Sequence, residues 1–146
     1  MKTRSEDIKA VLWKAAGTFR GTIDAANYKD FVLSMLFLKY LDDTYKEYLS
    51  DLEEKYNGNK IRIERAKKNL PFVLEDNQRF DYLYENRFDP KIGEKINTAL
   101  QGIQDNNAEL RGVFRSINFN SESMLGNPQQ KVTKLRTLLE DFKPLC

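Results

Sequence analysis

The feature that most restricts the fold of this chain is a long apolar stretch between residues 28 and 52. Apolar residues recur along its first half at helical spacing, at Tyr28, Phe31, Val32, Met35, Leu36, Leu38 and Leu41, with Leu33, Phe37 and Tyr40 on the remaining faces. A helix that is apolar nearly all round is normally wrapped by other elements. One face continues through Tyr45, Tyr48, Leu49 and Leu52 to a turn signal at Asn57-Gly58-Asn59. The pattern predicts one long helix, beginning near Asp24 or Asn27, as the scaffold of the domain.

Three further apolar stripes predict helices that pack on this scaffold. The first covers about residues 4 to 19, with Thr3 and Glu6 at capping-box spacing and with Gly17 and Gly21 marking its end. The other two begin at Asp89-Pro90 and Asn127-Pro128, where an N-cap residue is followed by a proline. They end at Asn106-Asn107 and before Pro144.

The segments between these stripes have weaker patterns. Residues 61–70 predict a short basic helix, 71–74 an extended or irregular segment, 79–84 a helical turn or short helix, 108–114 a further short helix, and 119–121 a loop. The predicted fold class is all-α. We expect a single helical-bundle-like domain of about five helices, with a short irregular or extended segment near residues 71–80.

Length and composition narrow the class of protein. The chain has 146 residues, 40% of them hydrophobic and 32% charged, which is typical of one soluble globular domain. A net charge of +2 permits nucleic-acid binding without requiring it. The single cysteine, Cys146, excludes an intrachain disulfide and fits a reducing cytoplasm. The run from Phe31 to Leu41 is far shorter than the roughly 20 residues of a membrane span, so no membrane association is expected.

Several kinds of chemistry have no residues to support them. The chain contains no histidine and no Gly-x-Gly, and no carboxylate cluster has metal-ligand spacing. Histidine-based nucleophile pairs, histidine metal sites and glycine-rich phosphate loops are thereby excluded. We therefore expect no catalytic, cofactor-binding or metal-binding residue in this chain.

The strongest candidate site is a basic cluster, which includes only Glu64 as an opposing charge. Its members are Lys60, Arg62, Arg65, Lys67 and Lys68. They could contact DNA phosphates without reading bases. A solvated helix face is the alternative and the more frequent meaning of a charge run. Lys131, Lys134 and Arg136 are a weaker version of the same pattern.

Aromatic and acidic residues offer further candidates. Trp13 lies off the stripe of the first helix, where it is either an interface anchor or a second layer of core. Tyr40, Tyr45 and Tyr48 could stack on bases, but helical spacing favours core packing. Asp24 is best explained as a cap, and Asp30, Asp42 and Asp43 as solvated residues or ion-pair partners.

Five segments, in order, resemble one known family. They are residues 12–42, from Leu12-Trp13-Lys14 to Tyr40-Leu41-Asp42; residues 75–83; residues 92–100, Ile92 to Leu100; residues 110–114; and the loop Phe119-Asn120-Ser121. Together they resemble the N-terminal helical region of the modification (methyltransferase) subunit of type I restriction-modification systems. Phe80 stands where tryptophan is commoner in that family.

The resemblance implies a role within a larger enzyme of bacteria or archaea. In the full subunit a Rossmann-like domain follows, binds S-adenosylmethionine and methylates adenine N6 in DNA. That domain's cofactor loop and Asn-Pro-Pro-aromatic motif are absent from residues 1–146, so no methylation is expected from this chain alone, which we interpret as an excised domain or a truncated product. The implied partners are the specificity subunit, a second modification subunit, the restriction subunit and double-stranded DNA, contacted through its backbone. The predicted function is subunit assembly and DNA clamping; the alternative is a protein-interaction domain that does not touch DNA.

Overall fold

The computed structural model of this protein describes residues 5–19, 25–114 and 117–145. Seven α-helices and no strand occur in these ranges: α1 Ser5–Phe19, α2 Ala25–Lys55, α3 Lys60–Lys67, α4 Phe80–Glu85, α5 Ile92–Asn106, α6 Glu122–Leu125 and α7 Pro128–Phe142. The all-α prediction is confirmed. The five longer helices are those the apolar stripes and the basic segment predict, while α4 and α6 are short. The expected caps at Thr3 and Asp24 and the turn at Gly21 lie outside the described residues.

The long helix α2 is the scaffold around which the other helices pack. Its inner face carries Phe31, Met35, Leu38 and Leu41, each no more than 2% exposed. Helices α1 and α7 pack against α2, and α5 joins through α7. The core is completed by fully buried side chains of α5 and α7: Ile92, Ile96, Ala99, Ile103, Leu135, Leu138, Leu139 and Phe142.

The expectation that α2 is wrapped on every side is wrong. Leu33 is 45% exposed and Tyr40 is 60% exposed, so one face of the helix remains open to solvent. An all-round apolar pattern shows that each face tolerates burial, but it does not say which face a neighbour covers. Core packing is found for the other two tyrosines, since Tyr45 is buried and Tyr48 lies against Phe72 with 5.5 Å between ring centroids.

Two predicted helix boundaries differ from the structure. Helix α5 begins at Ile92 instead of directly after Asp89, because the Asp89 carboxylate accepts the backbone N–H of Lys91 and closes a local turn first. The predicted helix over residues 108–114 is only a 3-10 turn at Ala108–Leu110. Gly112, with φ of +79°, ends it by turning the chain.

The segment after α3 is irregular, as predicted, and the buried side chain of Asn107 ties it to α5. The Asn107 amide accepts the N–H of Val73 at 2.9 Å and donates to its carbonyl at 2.9 Å. The same amide group donates to Ile103 O at the end of α5. Asn107 thus caps α5 and supplies the hydrogen bonds that a neighbouring strand would otherwise provide.

The loop at residues 119–121 is also confirmed, and it is tied to the core. Phe119 is fully buried and meets Phe31 edge-on with 5.0 Å between ring centroids. Gly93 allows the loop to approach α5, because a Cβ at that position would lie 2.5 Å from Phe119 O. The short α6 that follows, which the sequence did not indicate, begins where Ser121 Oγ accepts the N–H of Met124.

Candidate nucleic-acid interface

The basic cluster folds as one short helix, α3, set off from α2 by a tight turn. Asn57 and Gly58 adopt positive φ values of 49° and 76°, which reverses the chain at the end of α2. Asn59 then caps α3, its side chain accepting the N–H of Arg62 at 3.2 Å. Ile63 is the buried residue of α3 and anchors the helix to the domain.

Four of the five predicted cations point into solvent. Lys60, Arg62, Arg65 and Lys68 are exposed. None of them forms an ion pair with any residue in the part of the chain that the structure describes. Arg65 and Lys68 are three residues apart and therefore share the helix face opposite Ile63. This arrangement leaves their donors available to an anionic partner.

Lys67 behaves differently from the other four. Its ammonium lies 2.7 Å from the Glu64 carboxylate and is half-buried. The hydrogen bond to Glu64 raises the pKa of Lys67 above its ordinary value, against the opposing effect of partial burial. Its charge is therefore neutralised locally, and Lys67 contributes least to an external anion site.

A groove of about 690 Å³ runs beside α3, between that helix and the irregular segment. Four carboxylates line it, those of Glu64, Glu75, Asp76 and Glu109, against the two lysines Lys67 and Lys68. Its net negative lining repels phosphate. A phosphate backbone would therefore meet the outer face of α3 instead of entering the groove.

The weaker basic set on α7 takes part in the fold. Lys131 is only 6% exposed, and its ammonium donates to Asn120 O at 3.2 Å. Lys134 donates to Leu125 O at 3.1 Å, at the end of α6. Arg136 lies over the ring of Phe88. The structure therefore does not bring these three cations together as a second exposed patch.

A cluster of ion pairs that the sequence did not reveal joins α2, α4 and α7. Asp42 is fully buried and forms an ion pair with Arg79. The Lys46 ammonium lies 3.4 Å from the same Asp42 carboxylate. Asp81 binds Lys46 at 2.8 Å and Lys143 at 2.9 Å. Of the readings open for Asp42, ion-pair partner is therefore the one the structure supports.

The charges in this cluster shift one another's pKa values. Partial burial raises the pKa of Asp81, but hydrogen bonds and charge from Lys46 and Lys143 outweigh it and lower the pKa to about 2. For Lys46, burial lowers the pKa, and the hydrogen bonds and charges of Asp81 and Asp42 reverse the effect and raise it. The carboxylates of this cluster are engaged in ion pairs that link helices. We therefore assign the cluster a structural role and not a role in acid–base catalysis.

A second group that the sequence did not single out surrounds an exposed phenylalanine. Phe88 is 60% exposed, and the guanidinium groups of Arg87 and Arg136 lie 4.8 and 5.1 Å from its ring centroid. Arg87 also lies 4.0 Å from the Tyr84 ring centroid and binds Glu140 at 3.0 Å. Two helices, α4 and α7, and the turn after α4 bring these residues together, so no local spacing could have identified them.

Trp13 is on the surface of α1. It is 70% exposed, which excludes the reading as a second layer of core. Its role as an interface anchor stays a prediction. Among the described residues there is no group of acidic or cysteine side chains that could hold a metal ion. No helix in the same ranges is long and apolar enough to cross a membrane.

Comparison with known proteins identifies the family. The family model of the HsdM N-terminal domain matches residues 8–142. The chain belongs to the HsdM N-terminal domain family. The matched range includes α2 to α7 and all of α1 except its first three residues, so the family assignment covers the domain core and α3 together.

Two relatives of this HsdM N-terminal domain are methylase subunits of type I restriction enzymes. The MjaIX methylase subunit of Methanocaldococcus jannaschii is 28% identical over 109 residues, covering 64% of this chain and 20% of that protein. The MpnII methylase subunit of Mycoplasma pneumoniae is 27% identical over 167 residues, covering 94% of this chain and 31% of that protein. The chain therefore spans less than a third of the length of either relative.

A solved structure has the same fold. It is the type I restriction-modification methyltransferase subunit from Streptococcus thermophilus, which matches with a TM-score of 0.76 and 19% identity. The match covers 99% of this chain and 35% of that protein. The helical arrangement of the HsdM N-terminal domain thus persists where most side chains differ.

Proposed function

We propose that this chain is the subunit-assembly and DNA-clamping domain of a type I restriction-modification methyltransferase subunit. The full-length subunit would methylate adenine N6 at a specific DNA site using S-adenosylmethionine, in a bacterial or archaeal cytoplasm. Its partners would be the specificity subunit, a second modification subunit, the restriction subunit and double-stranded DNA. Family membership supports the proposal that the chain is part of a type I methyltransferase subunit. The exposed cations of α3 support the proposed contact with DNA.

The observation that carries the DNA role is the unpaired charge on α3. Lys60, Arg62, Arg65 and Lys68 are exposed and form no ion pair within the described ranges. A capped helix fixed by Ile63 holds these side chains on the surface of the domain. Such contacts are electrostatic and independent of sequence, and they position a protein on the duplex.

Salt dependence tests this role. Each phosphate contact contributes a slope of about −0.9 to a plot of log K against log salt concentration. The variant Arg62→Gln/Arg65→Gln/Lys68→Gln loses three such contacts, so its slope for a labelled duplex should be less negative than that of the parent by about 2.7. Fluorescence anisotropy of the full chain, titrated at several salt concentrations, measures it.

A matched control separates location from net charge. Lys9→Gln/Lys91→Gln/Arg111→Gln removes the same charge from exposed positions outside α3, and its slope should stay near that of the parent. If both triple variants lose binding equally, α3 is not the contact. If the parent chain shows no binding at low salt, the DNA role is wrong.

Exposed apolar side chains favour a second candidate function, a protein-interaction domain without DNA contact. Trp13, Leu33 and Tyr40 are 70%, 45% and 60% exposed, and large exposed side chains of this kind are common in interfaces. Reconstitution of the complete enzyme with a subunit lacking residues 1–146 distinguishes the two. Lost assembly together with unchanged DNA binding by the remaining subunits would favour the second function.

A further inference from the structure

We propose that residues 71–75 take up an extended, basic segment of a partner protein as an added β-strand. The site is the acidic groove, defined here as the cavity of about 690 Å³ between α3 and residues 71–75. The inference goes beyond the proposed function, because it concerns a protein ligand in a groove that the DNA role leaves unused. The backbone of residues 71–75 determines the form of the ligand, and the carboxylates of the groove determine its charge.

Residues 71–75 already have the geometry of a single strand. Phe72 and Leu74 are more than nine-tenths buried in the core, while Val73 is half-buried and Glu75 is exposed. This alternation is that of an extended chain with one face on the core. The Glu75 backbone is extended too, with φ of −78° and ψ of 164°.

One edge of this segment is occupied and the other is open. The N–H and C=O of Val73 both bond to the Asn107 side chain. In an extended chain the backbone groups of the two adjacent residues point the opposite way. Those residues, Phe72 and Leu74, line the acidic groove. None of their four backbone groups forms a hydrogen bond within the part of the chain that the structure describes.

Unpaired backbone groups at two buried residues are an exception among proteins. Roughly 90% or more of buried backbone N–H and C=O groups have a hydrogen-bond partner. An open strand edge is a template for another extended chain, and main-chain hydrogen bonds supply the affinity when a peptide adds to it. An antiparallel strand in the groove would satisfy all four groups, because each paired residue exchanges two hydrogen bonds.

The charge of the groove selects a basic ligand. The charged residues that line it are Glu64, Glu75, Asp76, Glu109, Lys67 and Lys68. Glu64 and Lys67 neutralise each other at 2.7 Å. Three exposed carboxylates therefore remain against one lysine, and none of the three forms an ion pair with a described residue. Lysine or arginine side chains on an incoming strand complement this charge, whereas an acidic segment is repelled.

A synthetic peptide tests the inference on the 146-residue chain. The probe is a fluorescently labelled, C-terminally amidated peptide of about seven residues in which lysine alternates with threonine. Anisotropy at low salt should show saturable binding with a Kd of about 10 to 300 µM. The same peptide N-methylated at every backbone nitrogen keeps its charge but has no main-chain donors, so it should bind at least about 10-fold more weakly. A glutamate–threonine peptide should not bind.

A matched pair of variants tests the carboxylates. Glu75→Gln/Glu109→Gln removes two charges from the groove and should raise the Kd of the basic peptide by about 3- to 10-fold. Glu94→Gln/Glu122→Gln removes the same charge from exposed positions outside the groove. It should leave the Kd within about twofold of the parent value. Circular dichroism confirms that each variant is folded.

Amide hydrogen exchange, resolved by NMR, tests the open edge without any substitution. Saturating basic peptide should slow exchange of the Phe72 and Leu74 N–H groups by about 10-fold or more. The Val73 N–H, which already bonds to Asn107, should change little. This measurement still decides the question if the carboxylate variant fails to fold.

Four results would overturn the inference. They are no binding of the basic peptide at about 1 mM, equal binding of the N-methylated or acidic peptide, unchanged exchange of the two amides at saturation, and slowing of that exchange by protein concentration alone. The last result would assign the groove to a second copy of the chain. No DNA is present in these experiments, so this inference and the DNA role of α3 can fail independently.

Discussion

Among single residues, the buried polar groups carry the most structural information. Asn107 is 8% exposed and satisfies three backbone groups at once, two of Val73 and one of Ile103. The sequence predicts Asn107 only as a helix stop. Its hydrogen bonds to Val73, 34 positions away, depend on how the irregular segment folds back onto α5.

Asn107→Ala should therefore be strongly destabilising. It leaves the Val73 N–H and C=O without their partners, and each unsatisfied buried group costs about 1–3 kcal/mol. We expect a loss of about 2–3 kcal/mol in the free energy of unfolding, measured by urea denaturation. Asn106→Ala, at the exposed neighbouring position, is the control and should change it by less than about 0.5 kcal/mol. Equal effects of the two would contradict the role assigned to Asn107.

At the scale of elements, the helix boundaries follow local chemistry, while helix contacts do not. The cap at Asn127 and the turn at Asn57-Gly58-Asn59 act within a few residues of themselves, and the sequence predicts them correctly. The boundary at Asp89 is missed because the same carboxylate can cap a helix or close a turn. The close contact of α5 with the 119–121 loop is not visible in any local pattern.

Two glycine substitutions in helices should have opposite effects. Gly93→Ala places a Cβ 2.5 Å from the backbone oxygen of Phe119, and forcing the loop away from α5 should cost about 1–3 kcal/mol. Gly17→Ala in α1 meets nothing within 4 Å, and the better helix propensity of alanine should add about 0.5–1 kcal/mol. Thermal unfolding of both variants measures the difference. Stabilisation by Gly93→Ala would show that the loop is not held against α5.

At the scale of the whole molecule, the ion-pair cluster links elements far apart in the chain. Asp81 of α4 joins Lys46 of α2 to Lys143, directly after α7. Arg79 and Asp42 are 37 positions apart. Because these partners meet only after the helices have packed, the cluster contributes to the stability of the tertiary arrangement and not to that of any one helix.

The cluster predicts a specific response to acid. The pKa of Asp81 is lowered from 3.8 to about 2 in the folded chain. A carboxylate whose folded pKa is depressed stabilises the fold fully above its unfolded pKa, and the contribution is lost as pH falls toward the folded pKa. We therefore expect the melting temperature to fall between about pH 4 and pH 2, and Asp81→Asn to remove part of that fall.

Calorimetry of the parent and Asp81→Asn across this pH range measures the effect. Asp51→Asn, at an exposed position of α2 outside the cluster, is the control and should leave the acid response as in the parent. An unchanged pH profile in Asp81→Asn would show that the carboxylate gains nothing from Lys46 and Lys143 in solution.

Of the candidate interaction surfaces, one could be predicted from the sequence and the others could be found only in the structure. The basic cluster was recognisable because its members lie within one short helix, where spacing alone places them on a common surface. The exposed face of α2 and the cations around Phe88 were not recognisable. The first depends on which sides neighbouring helices cover, and the second joins residues from separate elements.

The sequence by itself determined the all-α class, the family resemblance, most helix boundaries and the basic helix. These features arise from apolar periodicity and from caps and turns, which act over a few residues. Only the tertiary structure decided that α2 keeps one face open, that Trp13 lies outside the core, and that Asp42 and Asn107 bind partners more than thirty positions away. The physical reason is that burial and charge pairing depend on which surfaces meet, and a one-dimensional pattern specifies a helix face without specifying its neighbour.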